Sequence, residues 1–149
     1  MKTIVNSIIP FPGYIALTVW PWVFVRRKAQ AWYTPTVDRH ERTHGRQQKE
    51  MLVVGSVLAA LLLLAGCGWW SIIPLGLFFE WYFMEWLFRS VQYGNMHTGY
   101  RNISMEREAY AWQDDIGYLD QRRPFAWVKY LRLPKTTLKE ERGMRNVEH

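Results

Sequence analysis

The sequence predicts a mainly α, single-domain protein built from three helical parts. These are a helix over 36–51 bearing a His-Glu-x-x-His motif, an apolar helical hairpin over 52–88, and a Glu-bearing helix over 103–120. Three observations predict them. His40-Glu41-Arg42-Thr43-His44 lies in a polar stretch with helix-start signals; residues 51–79 carry no charge; and Ser104-Met105-Glu106-Arg107-Glu108-Ala109 opens a second polar, helix-compatible stretch. At 149 residues the chain can close one core but not two.

Composition points to segregation. Hydrophobic residues make up 49% and aromatic residues 16% of the chain, yet its formal charge is +6. Basic residues cluster at Arg26-Arg27-Lys28, along Arg39 to Lys49 and from Arg122 to Arg145. Beside long apolar runs, such clusters suit anionic lipid headgroups, so membrane lipid is the expected partner. Nucleic acid is disfavoured, because no nucleic-acid motif accompanies the charge and the Trp and Phe residues sit in apolar runs. The single cysteine, Cys67, has no partner for an internal disulfide and is assigned to packing.

Residues 1–28 form an apolar N-terminal segment. Its prolines 10, 12 and 21 and Gly13 argue against one regular helix. It is expected to lie in or against a bilayer, with a strand packed on the core as the alternative. Thr36 is expected to cap the next helix, with Asp38 in the first turn to suit the helix dipole. Residues 52–88 divide at Gly66-Cys67-Gly68 into a Leu/Val-rich arm, Leu52–Ala65, and an aromatic arm, Trp69–Phe88. Such a hairpin is expected to be membrane-embedded or interfacial, with a pair of core helices in a soluble domain as the alternative, and its first arm is short for a full span. Ser104 is expected to start the next helix. Phe125 to Leu133, between Pro124 and Pro134, has aromatic and basic faces suited to an interface. Residues 135–149 form a charged tail without a core pattern. No stretch reads as an edge strand or a substrate cleft.

On a helix, His40 and His44 lie one turn apart on one face, where two imidazoles can share a metal ion at about 2.0–2.1 Å each. Glu41, one residue on, can hold a water beside a zinc ion and take its proton. Gln47 and Gln48 either hydrogen-bond the ring nitrogens not used by the metal or face solvent. A third ligand is needed, and Glu106, Glu108, Glu80, Glu85 and His97 are all available. Glu85 has Arg89 one turn away as a helix-surface ion-pair partner. Glu80 has no such local partner, which makes it the first outsider for the metal site.

HERTH followed by EREAYA resembles the gluzincin clan of zinc metallopeptidases. The resemblance implies a compact zincin-like fold, a Zn2+ cofactor and a Glu ligand in a Glu-x-x-Ala-Asp context. Matching that context to Glu106-Arg107-Glu108-Ala109 makes Glu106 the third ligand, with Glu108 second choice, and sets Tyr110 where the clan has Asp. More narrowly, the chain is similar to a family of small uncharacterised proteins of Bacteroidetes and their phages. That likeness runs through an FPGY-like stretch, the His40 helix with Gln47 or Gln48, the Glu85–Arg89 helix, Gln92-Tyr93-Gly94-Asn95 and Tyr100-Arg101-Asn102-Ile103-Ser104.

With these features, the resemblance implies a membrane-associated zinc metallopeptidase acting on a peptide or protein, with His40, His44 and Glu106 as ligands and Glu41 as general base. His97, Tyr100 or Arg101 would stabilise the oxyanion. The alternative is a non-catalytic membrane protein whose zinc or polar cluster serves binding or assembly. Positive charge on both flanks of the hairpin would put the site at the cytoplasmic face of an inner membrane.

Overall fold

The computed structural model describes residues 1–11 and 13–132, so the 135–149 tail lies outside the described residues. The protein is mainly helical, with a small sheet at its N-terminus. For residues 1–28 the structure has strands, the alternative of the two expectations. Strands β1 (Lys2–Asn6), β2 (Ala16–Val19) and β3 (Trp22–Arg26) make a three-stranded sheet in the order β1-β3-β2. β1 runs parallel to β3 and β2 antiparallel to it. The β-branched residues favour extended backbone, and Pro21 falls in the turn between β2 and β3. Val23 and Val25 alternate inward and are fully buried.

Helix α1 runs unbroken from Pro35 to Leu64, thus joining the expected motif helix to the first hairpin arm. Its cap is Thr34, which accepts from Val37 N at 3.4 Å, and not Thr36. Pro35 opens the helix because the first position has no use for an N–H and proline's φ already suits it. Asp38 accepts from Tyr33 Oη at 2.6 Å and from Arg42 Nε at 2.5 Å. At the other end Gly66 takes φ +80°, and Gly66 N and Cys67 N donate to Leu63 O and Leu62 O. This left-handed cap turns the chain back.

The second arm is not one helix. A 3-10 segment, Gly68–Gly76, precedes α2 (Leu77–Tyr93), since Pro74 cannot donate to a regular helix there. The segment returns along α1 so closely that a Cβ on Gly55 would collide with the Pro74 carbonyl. Most of this hairpin faces outward: Val53 is 65%, Leu64 86% and Trp69 87% exposed. Among the described residues α1 is the one helix long and apolar enough to cross a membrane by length and composition, and only 22% of its most apolar window is buried.

Short α3 (Met96–Arg101) leads to α4 (Ser104–Trp112), which ends well before residue 120. Asp115 Oδ1 accepts from Gly117 N at 2.8 Å in the turn that follows, and α5 (Tyr118–Gln121) resumes beyond it. Ser104 does not cap α4 by accepting a bond. Its N and Oγ donate instead to Glu85, at 3.0 and 2.6 Å. Glu85 and Arg89 are therefore a buried pair, not a surface one, and Arg89 also donates to Leu131 O at 2.7 Å. A carboxylate at a helix N-terminus suits the dipole, which explains its burial there. The interface-like stretch also turns inward in part. Within the 3-10 segment Ala126–Leu131, Trp127 packs with Met51, Phe78, Ile103 and Met105 in the core.

Two predictions follow from these contacts. Gly55→Ala should force α1 and the 3-10 segment apart and lower stability by about 1–3 kcal/mol, read as a lower melting temperature. Burial raises the Asp38 carboxyl, but Arg42 and Tyr33 outweigh it and hold it below the usual carboxylate range. Its contribution should therefore be present above about pH 4 and fade as pH falls further, a loss that Asp38→Asn should abolish in acid titrations followed by circular dichroism.

Candidate metal centre

α1 and α4 bring together His40, His44 and Glu106, all buried. His40 Nε2 lies 3.1 Å from His44 Nε2, 3.3 Å separates His40 Nε2 from Glu106 Oε2, and 3.1 Å separates His44 Nε2 from Glu106 Oε1. Donors bound tetrahedrally at about 2.0–2.1 Å sit roughly 3.3 Å apart, so this triangle has the dimensions of a metal site. The group could hold a metal ion. Glu106 Oε2 has no hydrogen-bond partner among the described residues, although it is fully buried. A cation at the centre of the triangle would satisfy it.

The tautomer of His44 follows from its neighbours. Gln47 Nε2 donates to Met105 O and to Glu108 Oε2, both at 3.0 Å, which turns Gln47 Oε1 toward His44 Nδ1 at 2.8 Å. His44 must then donate from Nδ1, leaving the Nε2 lone pair of the neutral ring to face the cluster. Without a cation the ring holds a second proton more tightly than usual. Burial opposes the charge, but the Glu106 carboxylate outweighs it and moves the pKa up to about 9. Glu106 is held far below the usual carboxylate range: burial raises it, and the two histidines more than reverse that. A bound cation would displace the His44 proton.

Glu108 stands outside this triangle. It accepts from Tyr118 Oη and Arg122 Nε, each at 2.6 Å, and Arg122 also pairs with Glu50. It therefore orients Gln47 and, through it, His44. Gln48 serves the sheet: its Oε1 accepts from Trp20 N at 2.7 Å and its Nε2 donates to Thr18 O at 2.8 Å. Glu80 is exposed and Glu85 is engaged with Ser104, so neither joins the cluster.

Glu41 lines the cleft beside the cluster, and Thr18 Oγ1 lies 2.7 Å from its Oε2. Tyr82 Oη donates to Glu106 Oε1 at 2.6 Å. Sequence reasoning missed both Thr18 and Tyr82. Thr18 carried no signal beyond β propensity, whereas a tyrosine hydroxyl in an apolar helix needs a partner and could have been questioned. Tyr110 packs edge to face on His40, with ring centroids 4.6 Å apart, and His40 Nδ1 has no hydrogen-bond partner among the described residues. Arg101 is exposed and stacks over Tyr110, 4.8 Å from its centroid. His97 is exposed along one side of the cleft. Tyr100 borders both sides of it, and burial, with the Glu106 charge behind it, keeps its hydroxyl protonated well above the usual range.

The cleft also has an edge strand, contrary to the sequence reading. Arg26 N donates to Ile15 O at 3.0 Å, and the antiparallel alternation then turns the N–H and C=O of Ala16 to the outer edge of β2. Ala16 borders the cleft on both sides of Glu41.

Metal analysis should find about one ion per chain after zinc addition, lost with His44→Ala or Glu106→Gln. Gln47→Leu should keep that stoichiometry and weaken affinity by about 10–100-fold. No known protein-family model matches the chain, and neither a curated protein nor a solved structure matches it.

Proposed function

We propose that this protein is a membrane-associated, zinc-dependent metallopeptidase of gluzincin type, with the site facing the cytoplasm. The observation that supports it most is the buried triangle of His40, His44 and Glu106 with Glu41 at its side. Zinc held by those three residues would supply a Lewis acid that polarises a carbonyl and acidifies water.

The chain's own groups would do the rest. Glu41, its carboxylate held by Thr18, takes a proton from water and passes it to the leaving amine. Tyr100 keeps its proton and can donate to the developing oxyanion. The outward backbone of Ala16 can pair with an extended peptide. The exposed hairpin from Leu52 to Val91, with Glu80 its one exposed charge, supports insertion into lipid, and basic residues such as those at 26–28 suit anionic headgroups.

One observation favours a second reading, a non-catalytic membrane protein with a structural zinc. His40 Nδ1 lacks the carboxylate that would orient it, because Tyr110 occupies that position. Glu41→Gln separates the two. In the peptidase it keeps zinc and fold and lowers the hydrolysis of a quenched-fluorescence peptide library by about 100-fold or more. Equal rates in the two proteins would exclude Glu41 as the base.

A further inference from the structure

The cleft has two arms, one strongly apolar and one of mixed lining. One, about 480 Å³, lies against α2 and is walled by Leu17, Phe78, Phe79 and Phe83. The other, about 640 Å³, opens past His97, Tyr110 and Gln113. Glu41, Ala16, Tyr14 and Tyr100 border both, so the arms meet at the carboxylate. Phe79 and Phe83, one turn apart, are 48% and 55% exposed. From them the outward apolar surface of α2 continues through Met84, Leu87, Phe88 and Val91. The first arm thus opens onto the surface assigned to lipid, while the second opens beside the exposed His97 of α3.

Resting on the peptidase reading, we propose that the substrate is a membrane-inserted peptide cut at the boundary between an apolar and a polar segment. The apolar segment enters from the bilayer past Phe79 and Phe83, and the polar segment leaves past His97. Water's oxygen bonds to the scissile carbonyl carbon, the C–N bond breaks, and the water proton reaches the amine by way of Glu41. A phospholipid acyl chain could fill the first arm. It has no N–H and C=O at strand spacing to pair with those of Ala16, and an extended peptide has both.

The test uses the full-length Glu41→Gln protein in phosphatidylcholine–phosphatidylglycerol vesicles. A photo-crosslinker is placed as Phe83→p-benzoylphenylalanine and, separately, as His97→p-benzoylphenylalanine. Phe79→p-benzoylphenylalanine replaces the first if it does not fold. The probe is a synthetic peptide with a leucine half and a serine–lysine half, each carrying its own mass tag. Crosslinks from position 83 should favour the leucine half several-fold, and those from position 97 the serine–lysine half. Equal division between halves, crosslinks from position 83 to acyl chains alone, or no peptide crosslink at all would overturn the proposal. Zinc content measured on the same samples keeps the two readings apart. Sorted halves without zinc would uphold the cleft assignment and sink the peptidase, whereas bound zinc with unsorted halves would overturn the cleft assignment and leave the peptidase reading standing.

Discussion

The structure depends on one buried polar junction between α1 and α4. His40, His44 and Gln47 from α1 meet Glu106 and Glu108 from α4, and Arg122 closes the network against Glu50. Buried charges of this kind are tolerated only when paired and hydrogen-bonded, so each member constrains the next. Glu108 holds Gln47, Gln47 sets the tautomer of His44, and Glu106 pulls both imidazoles inward. A chain that must satisfy this network cannot slide α4 along α1 by a residue without stranding a charge. Rigid placement of the candidate metal centre follows from that constraint.

A second polar junction fixes the angle at which α2 meets the same helix. Glu85 and Arg89 lie on α2, yet they cap α4 and hold the 3-10 segment after residue 125. Polar residues therefore do much of the internal joining. Among the described residues thirteen polar or charged side chains are buried against nine apolar ones, while the large apolar side chains crowd the outside of the hairpin. That inversion is what the proposed lipid-facing hairpin would require, because a bilayer gives no reason to hide Leu and Phe but every reason to pair charges.

Thr18, Gln48 and Ala16 give the small sheet a role beyond covering α1. Gln48 anchors the backbone at Thr18 and Trp20, and that anchoring sets the Thr18 hydroxyl against Glu41. The strand edge and the carboxylate are consequently positioned by the same side chain. Tyr14 and Tyr100, whose rings meet edge to face at 6.2 Å, stand where the two arms of the cleft join.

By itself the sequence determined the chemistry that depends on local spacing. A four-residue interval on a helix puts His40 and His44 on one face wherever the helix lies, and a run of 29 uncharged residues must be apolar surface or core in any fold. The sequence did not choose among Glu80, Glu85, Glu106, Glu108 and His97, and only the resemblance singled out Glu106. Nothing in residues 1–28 told a bilayer segment from a sheet, because both want the same β-branched and aromatic residues. Tertiary structure decided these points. Which carboxylate faces the histidines, that Glu85 is a buried cap, and that Thr18 holds Glu41 depend on contacts 19 to 66 residues apart along the chain. Such contacts are selected by the joint cost of leaving buried polar groups unpaired, a quantity that exists only once the helices are packed.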